Sequence, residues 1–256
     1  MITLSSDFGT PYPAAMKGVI LRQCDARLVD VAHDFPRQDV RTAAFWLSQM
    51  LVEFPPAVHL VVVDPGVGTD RAALAVRAGD HVLVGPDNGV LLPPARALAD
   101  PDSDTTLDVD AYEIAIDEPQ SSTFHGRDVF APAAAAIHEA GVDRLPGLDG
   151  LAPADDVTDL VFADADVGDD HAAGTVLAVD GFGNVITNVP GDVLDDVRRV
   201  DVDGTSTPVV DSYAHAEPGE PIVTVGSHGN VELAVNRGRG DESFGVAVDD
   251  TVRLSW

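Results

Sequence analysis

Apolar and polar positions change rhythm along the chain. In the first half, short apolar runs alternate with segments of helical spacing. Ile2 to Ser6 predicts a strand and Pro13 to Asp25 a helix, with its proline in the first turn, where a missing N–H breaks no helical hydrogen bond. Leu28 to Ala32 predicts a second strand. From Asp39 to Phe54, the residues Val40, Ala43, Ala44, Leu47 and Leu51 recur at three- and four-residue intervals, the spacing of one helical face. Val58-His59-Leu60-Val61-Val62-Val63 is almost wholly apolar, as suits a strand buried on both faces of a parallel sheet, and it ends at Asp64-Pro65-Gly66. Ala72 to Val76 and His81 to Val84 predict further strands, and Asp128 to Ala140 an alanine-rich helix. This alternation predicts an α/β layered domain with a mostly parallel sheet over residues 1–150.

After Gly141 the periodicity weakens in a stretch rich in Asp, Pro, Gly and Ala, and residues 151–172 are expected to be a linker. The remainder, 173–256, reads as short β segments divided by turns: Thr175 to Val179, Val185 to Asn188, Val200 to Val202, Ile222 to Val225, Val231 to Val235, Phe244 to Val248 and Val252 to Trp256. No helix is expected there. Such spacing predicts an all-β, barrel-like domain.

Composition narrows the partners. Fifteen Lys and Arg against 43 Asp and Glu leave a net charge of −28. A chain of that sign cannot hold a phosphate backbone by releasing counterions, which argues against nucleic acid and anionic membranes as partners. Disorder does not follow, because 45% of the residues are hydrophobic. Of the acids 35 are Asp, spread along the whole chain, and Lys17 is the only lysine beside 14 arginines. Concentrated salt screens the self-repulsion of such a surface, so the composition predicts a halophilic, cytoplasmic protein. Cys24, the single cysteine, excludes a disulfide framework and a cysteine-built zinc site. No apolar run approaches the roughly 20 residues that span a bilayer, and no secretory leader is expected.

Ligands of open α/β sheets bind beyond the carboxyl ends of the strands. Asp7, Asp64 and Asn88 stand there, each beside glycine or proline, where an ordinary turn would also use them. Gly66-Val67-Gly68 is not a phosphate cradle, since no Gly-Lys-Ser/Thr follows. His125, in Ser121-Ser122-Thr123-Phe124-His125-Gly126-Arg127-Asp128, fits a general base, a ligand orienter or a metal ligand, and equally a capping or buried structural histidine. A metal site from Asp7, Asp64 and His125 has no His-x-His or His-Glu-x-x-His pattern behind it, so no metal is expected.

Seven segments recur in order: Ser6-Asp7-Phe8-Gly9, Met16-Lys17-Gly18-Val19-Ile20, Val63 to Thr69, Gly85-Pro86-Asp87-Asn88-Gly89, Ser122 to Pro132, Asp180 to Asn188 and Gly226-Ser227-His228-Gly229. Together they resemble the S-adenosyl-L-methionine (SAM) hydroxide adenosyltransferases, adenosine-forming SAM hydrolases related to the fluorinases and chlorinases. The resemblance runs from Ile2 to the C-terminus. It implies an α/β domain followed by a β-barrel, assembled as a homotrimer with sites between subunits. It also implies that Asp64, Arg71 and His125 position a water or hydroxide at the ribose C5′, a charged trio that the halogenating relatives lack. Asp7 is then expected on the ribose hydroxyls and Asn88 on the site lining. Asp180 and Asn184 match ligands of the methionine amino group and adenine, Phe182 and Tyr213 would pack on the adenine face, with a core aromatic the alternative for Phe182, Ser227 matches the holder of the methionine carboxylate, and Glu232 would reach the adenine amine or form one polar face of a strand. Two departures stand out. The loop from Asp7 to Lys17 is about two residues shorter than is usual in the family and lacks a second aspartate that helps hold the methionine portion, and His228 stands where halogenating relatives have an arginine.

The reaction so implied is SAM plus water giving adenosine and methionine, with SAM as substrate and no cofactor. The leaving thioether is neutral and needs no acid, so catalysis reduces to holding a water in line with the C5′–S bond. Halide addition on the same fold, and a SAM- or adenosine-binding protein without turnover, are the alternatives.

Overall fold

The computed structural model describes residues 1–99, 109–116, 121 and 123–256; Ser122 lies outside the described residues. The chain divides into two compact units, Met1–Val161 and Phe162–Trp256.

The elements of the first unit are β1 (Ile2–Ser6), α1 (Tyr12–Leu21), β2 (Leu28–Ala32), α2 (Val40–Met50), β3 (Val58–Val62), β4 (Ala73–Ala78), β5 (His81–Pro86), α3 (Leu92–Leu98), β6 (Val109–Ile114), α4 (Ala131–Ala140) and β7 (Leu151–Pro153). Seven strands form one sheet in the order β2-β1-β3-β5-β4-β6-β7. The strands β2, β1, β3 and β5 run parallel, and β4, β6 and β7 extend the sheet antiparallel. Ile2, Leu4, Leu60, Val62 and Val84 pack with Met16 and Ile20 of α1 and Ala134 and Ile137 of α4. Thr3, Ser5, His59, Val61 and Leu83, which alternate with them, are buried as well. Burial on both faces explains why the 58–63 run carries no polar alternation.

Two helix boundaries differ from the sequence reading, and one helix is additional to it. Helix α1 ends at Leu21, four residues early, where Gln23 and Cys24 donate back to the Ile20 carbonyl and close the last turn. Helix α2 starts after Asp39, whose carboxylate accepts from the Thr42 N–H at 2.9 Å, and its final turn at Leu51–Glu53 tightens to a 3₁₀ turn. Helix α3 is not among the predicted elements; its Pro93 and Pro94 both fall in the first turn, where proline is tolerated.

In the second unit the elements are β8 (Asp166–Val167), β9 (His171–Val179), β10 (Val185–Pro190), β11 (Arg199–Val202), β12 (Thr205–Pro208), β13 (Pro221–Val225), β14 (Asn230–Val235), α5 (Gly240–Phe244) and β15 (Thr251–Ser255). Its sheet runs β12-β11-β15-β9-β10-β14-β13 with β8 paired to β9, antiparallel throughout. Val209 bridges Val223, which brings the β12 end of the sheet back to β13 and nearly closes a barrel. Val176, Val185, Val200, Leu233 and Val252 fill the interior. The expected strand at 244–248 does not form: Phe244 is the last residue of α5, whose first turn holds Asp241 and Glu242, where carboxylates favour helix, Gly245 ends it in the left-handed conformation at φ 66°, and residues 246–248 follow without a strand. Residues 151–172 contribute to both units, through β7 and the Asp159–Arg96 ion pair to the first and through β8 to the second.

Candidate active site

Asp64 follows β3 by two residues. The loop after it folds back so that Arg71, just before β4, returns to the Asp64 carboxylate. Thr69 Oγ1 donates to the Gly66 carbonyl at 2.7 Å and its N–H reaches the same oxygen at 3.1 Å, while Gly68 takes φ +80°. A Cβ at Gly66 would lie 3.2 Å from Arg71 Cγ, so the returning side chain uses the space that glycine leaves.

Arg71 grips Asp64 with a two-pronged fork: Nε donates to Oδ1 at 2.9 Å and Nη2 to Oδ2. Nη2 also donates to His125 Nδ1 at 3.0 Å, Nη1 donates to the Ala72 carbonyl at 3.0 Å, and the guanidinium lies 5.0 Å from the centre of the Phe130 ring. The Asp64 and Arg71 side chains are 6% and 10% exposed. Since a guanidinium only donates, Nδ1 of His125 is an acceptor, and the neutral ring carries its proton on Nε2. Burial, and then the Arg71 charge, hold the His125 pKa below the ordinary histidine value, against the smaller pull of Asp64 and Asp128.

His125 sits at the entrance to a π-helical turn, Gly126–Phe130, that leads into α4. Asp128 braces this segment, accepting from Arg127 Nε at 2.6 Å and from the Ser121 N–H at 2.9 Å. At Gly126 a Cβ would stand 3.0 Å from Met16 Sδ, so glycine is what lets the chain pass this close to α1. Asn88 spends both ends of its amide on backbone, Nδ2 donating to the Val63 carbonyl at 2.9 Å and Oδ1 accepting from Val90 N–H at 3.2 Å, and so fixes the residue before Asp64. Asp7 accepts from the Gln38 N–H at 2.6 Å.

In the second unit a chain of polar groups links four of the expected residues. Asp180 closes the turn from β9 to β10 by accepting from the N–H groups of Phe182 and Asn184 at 2.8 and 2.9 Å, and from Asn184 Nδ2 at 3.0 Å. Asn184 Nδ2 reaches Tyr213 Oη at 3.5 Å, and Tyr213 donates to Glu232. Burial, followed by the hydrogen bond to Glu232, raises the Tyr213 pKa, so its hydroxyl stays a donor. Glu232 also faces His228 Nε2 at 3.5 Å. Asp180, Phe182, Asn184 and Tyr213, together with Arg237 and Arg239, line a cavity of about 760 Å³. Phe182, 80% exposed, stands at its rim, whereas Ser227 is exposed in the β13–β14 turn and does not line it. The sequence reading missed Arg237 and Arg239; the signal available was the Asn-Arg-Gly-Arg-Gly turn after β14, where Arg237 adopts φ 57°. Among the described residues no group of three or more His, Cys, Asp or Glu side chains is placed to hold a metal ion.

Residues 2–145 match the SAM hydroxide adenosyltransferase N-terminal domain, and residues 174–253 match the C-terminal domain of the same family. The chain belongs to the SAM hydroxide adenosyltransferase family. Family relatives named (R)-S-adenosyl-L-methionine hydrolase include one from Salinispora tropica, 38% identical over 99% of this chain and 97% of its own, and one from Thermus thermophilus, 39% identical over 97% of each. A crystal structure titled as an uncharacterized conserved protein from Thermotoga maritima superposes with a TM-score of 0.83 at 32% identity, covering all of both chains. Among the described residues no helix is long and apolar enough to cross a membrane.

Proposed function

We propose that this chain hydrolyses SAM to adenosine and L-methionine by in-line attack of an oriented water on the ribose C5′. The observation that carries the reading is the buried Asp64–Arg71–His125 cluster, in a chain that matches both domains of the family over most of its length. The names of the relatives point to the same substrate.

The chemistry fits what those groups offer. Water forms the new C5′–O bond as the C5′–S bond breaks; the electron pair leaves on the thioether sulfur, and one proton is released. No electron count changes on the protein, and the reading needs neither metal nor cofactor. Arg71 and the Nε2–H of His125 are donors that stabilise a hydroxide-like oxygen, and an Asp64 lone pair accepts one of its hydrogens. Three groups locked to one another hold that oxygen with little freedom, and orientation of this kind is worth several kcal/mol of barrier. Burial of the cluster strengthens each of these interactions.

In the same reading Asp7 accepts from the ribose hydroxyls and Asn88 holds the loop behind Asp64. Asp180, Asn184, Phe182, Tyr213 and Glu232 serve the adenosine and amino-acid portions, and Ser227 the methionine carboxylate. The enzyme acts in the cytoplasm of a halophile as a homotrimer, a state that light scattering at high salt tests. The reaction itself is tested in ¹⁸O-labelled water with abundant chloride. Label at the adenosine 5′-oxygen is the expected result; a chlorinated nucleoside would show halide transfer instead, and SAM retained unchanged would show a binder.

A further inference from the structure

Behind Asp7 lies a chain of hydrogen bonds that the reaction as described does not use. Lys17 Nζ, on α1, donates to Asp30 Oδ2 at 2.6 Å. Asp30 Oδ1 faces His33 Nε2 at 3.0 Å, and His33 Nδ1 faces Ser6 Oγ at 2.7 Å. A carboxylate only accepts, so it fixes the proton of the neutral ring on Nε2, and Nδ1 then accepts from the Ser6 hydroxyl. Ser6 is fully buried at the end of β1 and is bonded directly to Asp7 in the chain. The same 30–38 segment grips the Asp7 loop twice more. The His33 carbonyl accepts from Gly9 N–H at 2.7 Å, and the Gln38 N–H donates to Asp7 Oδ2 at 2.6 Å, with Gln38 held at φ 62°.

The resulting architecture is a relay from an ammonium at a partly exposed surface to a buried hydroxyl beside a carboxylate. Its members differ in burial: Lys17 and Asp30 are 32% and 45% exposed and His33 16%. Burial works to raise the Asp30 carboxyl, yet the hydrogen bonds from Lys17 and His33 outweigh it and hold the group below the usual carboxylate range, so it stays an anion that can order the imidazole. The second-layer imidazole–carboxylate pair resembles the way ligating groups elsewhere are held by partners behind them: the outer group sets the tautomer and ring angle of the inner one. Here the group so set is the Ser6 hydroxyl, and with it the start of the loop that aims Asp7.

We propose that Lys17, acting through Asp30, His33 and Ser6, is a positioning residue that aims the Asp7 carboxylate at the ribose diol and so sets the preference for ribose over 2′-deoxyribose in the substrate. This rests on the reading of Asp7 as the ribose ligand. Two parallel hydrogen bonds from a diol need both carboxylate oxygens in one plane with it, and a loop free to rotate by a few tenths of an ångström keeps one bond but loses the other. Deoxy substrate, with only one hydroxyl to offer, is insensitive to that rotation. Loss of the relay therefore penalises the natural substrate more than the deoxy analogue.

The test compares KM and kcat for SAM and its 2′-deoxyadenosyl analogue across four variants in high salt. Wild type is expected to prefer the ribose substrate. Asp7→Ala removes that preference. Lys17→Met and Ser6→Ala are expected to reduce it by about tenfold, mainly through KM for SAM, because one charge-assisted hydrogen bond is worth about that factor; Lys17→Arg, which returns a cation to Asp30, restores most of it. Equal losses for both substrates in Lys17→Met and Ser6→Ala would show a merely structural role and overturn the proposal, as would an unchanged preference while Asp7→Ala abolishes it. An unchanged preference in Asp7→Ala overturns the ribose reading of Asp7 and this proposal with it, while leaving hydrolysis itself to the labelled-water experiment. Lys17→Gln replaces Lys17→Met should the latter fail to fold.

Discussion

At the scale of single residues, the Asp64–Arg71–His125 cluster makes two sharp demands. Arg71 uses a planar fork toward Asp64 and a further N–H toward His125. Lysine at this position keeps the charge but, as a point donor, cannot serve both partners in one plane. Arg71→Lys is therefore expected to lower kcat by about a hundredfold, the cost of misplacing a reacting group by roughly an ångström, with a smaller effect on KM; steady-state kinetics read this, and wild-type turnover would sink the assignment. The second demand concerns protonation. His125 accepts from Arg71, so a proton on Nδ1 would break that bond and place two cations together. The folded-state pKa lies below the ordinary value of 6.5, which keeps the ring neutral through neutral pH. Facing it are Arg71, which opposes protonation, and Asp64 and Asp128, which favour it more weakly. Hydrolysis should therefore be level from neutrality down past pH 6.5 and fall only on the acid side of it. A rate already falling as pH drops through 7.5, with the fold intact, would contradict a neutral His125.

At the scale of elements, β3 and β5 carry a histidine pair, joined to β1 through Thr3, whose effect is on folding. His59 Nδ1 meets Thr3 Oγ1 at 2.8 Å and its Nε2 meets His81 Nδ1 at 2.9 Å, the two rings stacked 5.2 Å apart. Burial, and then the neighbouring His81, depress the His59 pKa to about 3, and burial lowers that of His81. For a group depressed on folding, the unfolded chain binds the proton first. The contribution is complete above the unfolded value near 6.5 and erodes as pH falls toward 3, at about 1.4 kcal/mol per pH unit for His59 while that window lasts. Denaturant unfolding from pH 7 to pH 4.5 should show this slope, and His59→Gln should flatten it. A wild-type slope equal to that of the variant would remove His59 as the cause.

The same strands show what could be read from the sequence. β1, β2 and β3 were legible because an apolar run bounded by turn residues has few other uses, and Asp64, Arg71 and His125, singled out through the family resemblance, do lie in hydrogen-bond contact. Helix α5 was not: five residues leave no periodicity, and a Phe-Gly-Val-Ala-Val stretch looks like strand until Gly245 is seen to end a helix. Nor could spacing show that Asn88 spends its amide on the backbone behind Asp64, or that Arg237 and Arg239 border the second-unit cavity, because those facts depend on which distant strands become neighbours.

At the scale of the whole molecule, the charge of −28 acts through the solvent. Fifteen basic side chains cannot neutralise 43 acids, and several of them are already committed locally, as in Lys17–Asp30, Arg96–Asp159, Arg127–Asp128 and Arg239–Asp241. The remaining carboxylates repel one another over a Debye length of about 10 Å at 0.1 M salt and about 3 Å at 1 M. Compaction brings those charges closer than they are in the unfolded chain, so dilute buffer penalises the folded state more. The thermal midpoint should accordingly climb steeply with potassium chloride up to about 1 M, where screening is nearly complete. Any rise beyond that must come from exclusion of salt from the surface, and it should then be larger for sulfate than for chloride at equal ionic strength. Sucrose, which is excluded but does not screen, should leave the low-salt instability largely in place. A midpoint that is the same at 0.1 M and 1 M potassium chloride would show that the acidic surface is not adapted to salt, and the excess aspartate would need another cause.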